Sequence, residues 1–218
     1  MNIRSEQWQN TLVSLSKSFD LPIDQDQSVQ LANYASELID TNKKVNLTAI
    51  TDPKEIAEKH IIDSFILAKF FPVNASVLDL GTGGGFPGIP LKIYLPSLTV
   101  TLADSSRKKI NFLKYVIRIL KLQHISAHQF RVEELSDYPD FAGQFDVVIS
   151  RAFTSLNRFL EVAAPLIKPD GVIIAMKGKE LEKEIDDLKS AGMSGDLHLI
   201  NENLYIKFPI KASCGHTK

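Results

Sequence analysis

The sequence predicts an α/β fold: a parallel sheet with helices on both faces, preceded by a helical cap. Three observations carry this expectation. From residue 76 onward short β-rich runs alternate with helical patterns, as βαβ units require. Residues 1–71 show helical spacing alone. The first β-rich run ends in an acid and a glycine cluster, Val77-Leu78-Asp79-Leu80-Gly81-Thr82-Gly83-Gly84-Gly85-Phe86-Pro87-Gly88. That is the layout of a strand, a tight turn and a helix start, and a parallel sheet places such a turn where ligands bind.

The cap reads as follows. Trp8, Leu12, Leu15 and Phe19 recur at helical spacing, as do Leu31, Tyr34, Ala35 and Leu38, so each set marks one apolar face. Asp24 with Gln27 resembles a capping box. Asp52-Pro53-Lys54-Glu55 is a stronger start signal, with Asp as N-cap, Pro at the first helical position and Glu at the third. The helix it opens carries Ile56, His60, Ile61, Ser64, Leu67 and Phe71 up to Pro72. The break near 72–76 divides a cap, residues 1–72, from an α/β body, residues 73–218. In the body, strands are expected at 76–80, 98–103, 124–130, 145–150, 171–176 and 197–207. Helices are expected at 86–95, 105–121, 154–164 and 178–191.

Composition excludes several classes. At 218 residues with 44% hydrophobic and 23% charged residues, the chain is long enough for a sizeable core. No apolar run is long enough to span a bilayer, and Met1-Asn2-Ile3-Arg4-Ser5-Glu6 lacks an apolar signal core. A cytoplasmic protein without a membrane partner is expected. The one cysteine, Cys214, rules out an internal disulfide and a cysteine zinc cluster. His60, His124 and His128 do not make a metal set; they read as structural or surface residues, and no metal is expected. The net charge of −1 leaves no global basic field, so charge for a nucleic acid must be local.

The glycine turn fits a dinucleotide poorly. Gly81 and Gly83 match the first two glycines of G-x-G-x-x-G, but the third position is Phe86, which blocks the close helix–strand packing a glycine would permit. Phe86 could instead lie against an adenine ring. The acid precedes the turn at Asp79, in the D-x-G-x-G pattern of S-adenosylmethionine enzymes. Asp104 ends the next strand, one βα unit later, where a carboxylate can accept both hydroxyls of a ribose; capping the next helix is the other reading, and Ser105 can do that job. Val132 and Glu133, in Arg131-Val132-Glu133-Glu134, close the third strand beside the expected adenine edge. Arg151 ends the fourth strand in Ile149-Ser150-Arg151-Ala152, facing the reacting methyl, and could bind a phosphate, the guanine O6/N7 edge or a cofactor carboxylate. Lys177 ends the fifth strand and either contacts substrate phosphate or stays solvated. Arg107, Lys114, Arg118 and Lys121 share one face of the helix after Asp104. That face is either a phosphate-tracking stripe or a solvated surface with snorkelling stems.

Asn46-Leu47-Thr48-Ala49-Ile50, Val77 to Pro90, Arg131 to Glu134 and Ile149-Ser150-Arg151-Ala152-Phe153 together resemble a known family, the bacterial 16S ribosomal RNA guanine-N7 methyltransferases, also called the glucose-inhibited division protein B family. The resemblance implies a class I, Rossmann-like S-adenosyl-L-methionine-dependent methyltransferase with an N-terminal helical cap. It implies methyl transfer to a guanine N7 in 16S rRNA of the small ribosomal subunit. It places Gly81, Phe86, Val132, Glu133 and Arg151 at the cofactor. It puts Asn46 and Thr48 in a motif near the pocket, with Asn46, Arg151 and Lys177 taken as substrate contacts. Guanine N7 carries a lone pair and no proton, so no general base is required, and Arg151 is the one catalytic candidate. A monomer is expected. After 197–207 the family pattern continues with a turn and a further apolar strand, whereas this chain runs Pro209 to Lys218; a missing or shortened seventh strand is expected. Two rival readings are a small-molecule methyltransferase and a non-catalytic RNA-binding module with a vestigial pocket.

Overall fold

The computed structural model describes residues 2–131, 139–151, 155–177, 196–200 and 203–209. Helix α1 (Glu6–Ser18) starts where the Ser5 hydroxyl accepts the Trp8 N–H. Helix α2 (Gln25–Asn42) starts in a full capping box: the Asp24 carboxylate accepts the Gln27 N–H at 2.7 Å, and Gln27 Oε1 accepts the Asp24 N–H at 3.1 Å. An N-cap of this kind contributes about 1 kcal/mol. A third helical segment, α3, occupies residues 53–70. Asp52 caps it, accepting the N–H groups of Lys54 and Glu55. It begins as an α turn (Pro53–Glu55), widens to a π turn (Ile56–Ile62), returns to α (Asp63–Phe65) and tightens to a 3₁₀ turn (Ile66–Phe70).

The body alternates β1 (Ser76–Leu80), α4 (Gly88–Tyr94), β2 (Thr99–Asp104), α5 (Arg107–Ile119), β3 (Ile125–Gln129), β4 (Phe145–Ser150), α6 (Leu156–Ala163), β5 (Ile167–Lys177), β6 (Asp196–Ile200) and β7 (Asn203–Pro209). The strands form one seven-stranded sheet in the order β3-β2-β1-β4-β5-β7-β6. The first five run parallel; β7 is antiparallel to β5 and to β6. The order reverses direction at the β1–β4 pair, and ligands of open α/β sheets bind outside the carboxyl ends of the strands at that switch point.

Side chains alternate between two cores, as a period of two requires. Val77, Val100, Val147 and Ile149 join the core that includes α4, α5 and the cap, with Trp8, Tyr34 and Phe65 fully buried. Leu78, Leu80 and Val148 join the opposite core under α6. The cap therefore has no core of its own. Within the cap, α1 is tied to α3 by a polar contact: Trp8 Nε1–H donates to the Pro53 carbonyl at 2.9 Å.

Two expectations about the sheet are corrected. The segment 197–207, read as one strand, is two strands, β6 and β7, with Ile200 paired to Asn203. The sheet accordingly has seven strands, not a missing or shortened seventh. Apolar alternation runs through Leu197 and Leu199 and resumes in Leu204, Ile206 and Phe208. The reversal was marked only by the polar run Asn201-Glu202-Asn203. Strand β5 also begins four residues before the expected 171. The helix expected at 178–191 lies outside the described residues.

Candidate functional site

The site is built on the turn after β1. Gly81, Gly83 and Gly85 have φ of 71°, 59° and 108°, values that favour residues without a Cβ. The N–H groups of Gly81 and Thr82 both donate to the Ala103 carbonyl, at 2.8 and 3.0 Å, which leans the turn on β2. Beneath it lies Asp79, fully buried. Its Oδ2 accepts the Thr82 hydroxyl at 2.7 Å and the Gly88 N–H at 2.9 Å, clamping the start of α4 against β1. Burial pushes the Asp79 carboxyl up to about 7, against the pull of those two hydrogen bonds.

Asp104 ends β2 and is 6% exposed. Its Oδ2 accepts the Gly83 N–H at 3.0 Å and faces Lys109 Nζ at 3.4 Å, while Oδ1 accepts the Ser106 N–H at 2.9 Å. One carboxylate thus holds the glycine turn and opens α5. Ser105, expected to relieve it of capping, is exposed.

Arg151, one residue past β4, reaches into the cap. Its Nη1 donates to His60 Nδ1 at 2.6 Å and its Nη2 to the Lys59 carbonyl at 2.7 Å. Because a guanidinium only donates, His60 must accept at Nδ1 and carry its proton on Nε2. That nitrogen lies 2.7 Å from Thr48 Oγ1, which also accepts the Ile50 N–H at 3.0 Å. Burial, then the Arg151 charge, lowers His60 to about 3, so the imidazole is neutral. Asn42 fixes the loop behind Thr48: its Oδ1 accepts the Leu47 and Thr48 N–H groups at 2.7 and 3.0 Å, and its Nδ2 donates to the Thr48 carbonyl at 2.9 Å.

Phe86 is 6% exposed. Its ring stacks on His60, with centroids 4.1 Å apart and planes 19° apart, and tilts against Tyr34 at 5.3 Å. Its ring therefore cements the turn to the cap. Tyr34 completes that contact by donating its hydroxyl to the Gly84 carbonyl at 2.7 Å.

A family model for rRNA small subunit methyltransferase G matches residues 27–200. The chain belongs to this family. A relative named ribosomal RNA small subunit methyltransferase G in Mycoplasma capricolum is 43% identical over 180 residues, covering 82% of this chain and 77% of the relative. A protein of the same name in Geotalea uraniireducens is 47% identical over 167 residues, covering 75% of each. Among solved structures, a SAM-dependent methyltransferase from Aquifex aeolicus superposes with a TM-score of 0.57 at 17% identity, covering 81% of this chain and 98% of that one. Precorrin-6y C5,15-methyltransferase from Geobacter metallireducens gives 0.54 at 15% identity, covering 69% and 88%. These likenesses show the class I methyltransferase fold.

The residues present fit S-adenosyl-L-methionine, the cofactor of this class. A Cβ built on Gly81 meets nothing nearer than Ser150 Oγ at 4.0 Å, so the backbone there is open to close approach. Ser150 Oγ and Asp79 Oδ1, near the ends of the two switch-point strands, are buried without a hydrogen-bond partner among the described residues. Such atoms carry a cost of about 1–3 kcal/mol each unless something satisfies them.

Of the residues singled out in the sequence, the structure brings together Gly81, Phe86, Asp104 and Arg151. Asn46 is exposed, and Asn42 rather than Asn46 organises its loop. Lys177 ends β5 opposite Leu204. Val132 and Glu133 lie outside the described residues. The sequence reading missed Tyr34 and Asn42, and it left His60 as merely structural or surface. The available signal for His60 was a polar residue on an otherwise apolar helical face, between Ile56 and Ile61.

Proposed function

We propose that this chain transfers a methyl group from S-adenosyl-L-methionine to N7 of a guanine in 16S rRNA of the small ribosomal subunit, acting as a cytoplasmic monomer. The observation that carries the reading is the grouping, at the carboxyl ends of β1, β2 and β4, of the glycine turn, the Asp104 carboxylate and the Arg151 guanidinium, in a chain of this family.

The chemistry assigns roles to the chain's own groups. The backbone at Gly81 lets the cofactor approach β1 closely. Asp104, already held by Gly83 and Ser106, has lone pairs left for ribose hydroxyls. Val132 and Glu133 border the adenine. Phe86 acts through the backbone it anchors, since its ring is committed to His60 and Tyr34. Arg151 supplies a fixed positive charge for a cofactor carboxylate or the guanine edge, Lys177 meets a substrate phosphate, and Asn46 is a further substrate contact.

The bound cofactor supplies an electrophilic methyl on a sulfonium. Guanine N7 needs no proton removed, so the protein's task is alignment, which can contribute about 7–11 kcal/mol in favourable intramolecular cases. N7 of paired A-form RNA faces a groove closed to side chains, so the target guanine must be unpaired or turned out of its stack. The test is incubation with labelled S-adenosyl-L-methionine and unmodified small subunits, followed by mapping of the modified base. Label at one guanine N7 is expected; an unlabelled RNA overturns the reading.

A further inference from the structure

Helix α5 breaks the charge pattern of the chain. From Arg107 to Lys121 the segment Arg-Lys-Lys-Ile-Asn-Phe-Leu-Lys-Tyr-Val-Ile-Arg-Ile-Leu-Lys holds six cations and no acid, in a protein of net charge −1. Lys109 faces Asp104 at 3.4 Å. Arg107, Lys108, Lys114, Arg118 and Lys121 are exposed, and none of them makes an ion pair among the described residues. Elsewhere Arg4, Lys43, Lys54, Lys59 and Arg158 each meet a carboxylate, while Lys17, Lys44 and Lys69 are exposed singly on separate elements, without the clustering seen on α5. Glu37, the acid beside α5, is held by Arg4 and by the Tyr115 hydroxyl at 3.1 Å.

Folding does not account for this face. Ile110, Phe112, Leu113 and Val116 supply the burial that fixes α5, and the cations lie away from it. Arg118 and Lys121 suit the negative end of the helix dipole, but Arg107 and Lys108 sit at its positive end, where acids are favoured. The first turn of α5 has no acid. A local rule broken without a packing gain points to function.

The position of the face selects its partner. α5 begins at Ser106, whose N–H is held by Asp104, and Asp104 also holds Gly83 of the cofactor turn. The thirteen residues of α5 then carry the stripe about 20 Å away from the pocket. A polyanion lying along it would run toward the carboxyl end of β2, where Asp104 holds the glycine turn.

We propose that the exposed face of α5 formed by Arg107, Lys108, Lys114, Arg118 and Lys121 docks the phosphate backbone of the substrate RNA next to the target guanine. This rests on the rRNA reading above. The face contributes affinity without sequence information, as phosphate contacts do, so its loss acts on KM and on salt dependence.

The test compares the wild type with the triple variant Lys114→Gln/Arg118→Gln/Lys121→Gln, and with a control, Lys17→Gln/Lys69→Gln, whose cations lie on α1 and α3. Methyl transfer to unmodified small subunits is measured from low to high salt, and S-adenosylhomocysteine binding is measured by calorimetry. The triple variant should raise KM about tenfold with kcat and S-adenosylhomocysteine affinity kept. Its plot of log(kcat/KM) against log salt should be shallower by roughly 2, because each single-strand phosphate that a cation neutralises adds about 0.7 to the slope. The control should match the wild type. An unchanged KM and salt slope in a folded triple variant overturns the α5 surface, as does an equal loss in the control. A wild type that never labels RNA removes instead the reading on which the surface rests.

Discussion

At the scale of single residues, the site contains two buried groups whose pKa values burial shifts in opposite directions on the pH axis. His60 is neutral because it is buried beside Arg151, and only a neutral ring can accept from Arg151 while donating to Thr48. Arg151→Ala removes the fixed charge at the end of β4. Methyl transfer should fall below detection while circular dichroism and a cooperative thermal transition report a folded protein; normal turnover would remove Arg151 from the site. The two buried groups also oppose each other in their pH dependence. His60 has its folded value near 3 against 6.5 unfolded, so the unfolded state binds more protons between those limits and stability rises with pH there. Asp79 has its folded value near 7 against 3.8, so the folded state binds more protons and stability falls as pH rises from about 4 to 7. Each slope is at most about 1.4 kcal/mol per pH unit, and they cancel where they overlap. Asp79→Asn, which keeps an acceptor for Thr82 and Gly88, should leave stability rising from pH 4 to 6.5 in denaturant titrations. His60→Gln should leave it falling over the same span. Parallel profiles for both variants would refute the two assignments.

At the scale of elements, the glycine turn and the start of α4 form one packed unit. A Cβ on Gly88 would collide with Leu102 Cδ2 and stand 2.8 Å from Asp79 Oδ2, so Gly88→Ala forces two fully buried side chains to shift and loosens the Asp79 clamp. Overpacking of this kind costs about 1–3 kcal/mol, which a guanidinium midpoint should register, together with weaker S-adenosylhomocysteine binding. A midpoint equal to wild type would mean that the turn is not clamped as described. This unit was legible in the sequence because glycines, a buried-strand acid and a helix start leave local marks. The β6–β7 reversal was not, because two antiparallel strands with the same alternation read as one until pairing partners are known. The roles of Asn42, Thr48 and His60 were equally hidden. Each depends on contact with a residue far along the chain or on a loop conformation, and periodicity carries neither. The π turn at Ile56–Ile62 was read only as regular helix, yet it is the stretch that presents His60 and the Lys59 carbonyl to Arg151. π turns are often found at functional sites.

At the scale of the whole molecule, the cap and the sheet share one core. The core that holds Trp8, Leu31, Tyr34 and Phe65 also holds Val77, Ile89, Val100 and Ile149, and the polar chain Thr48–His60–Arg151 crosses between the same parts. Residues that the sequence separates at 72–76 therefore stabilise one another and jointly fix the cofactor turn. Removing the cap would expose the apolar face of α4 and of the central strands. It would also leave Arg151 without His60, and the Gly84 carbonyl without Tyr34. A fragment of residues 73–218 should accordingly lack a cooperative thermal transition and bind the hydrophobic dye ANS, as a loosely packed α/β body does. It should not bind S-adenosylhomocysteine. Recovery of both properties on adding residues 1–72 as a separate chain would strengthen the assignment, since the contacts, not the covalent link, are what the body needs. A fragment of residues 73–218 that unfolds cooperatively and binds S-adenosylhomocysteine like the whole chain would show instead that the cap is an accessory laid on a self-sufficient sheet.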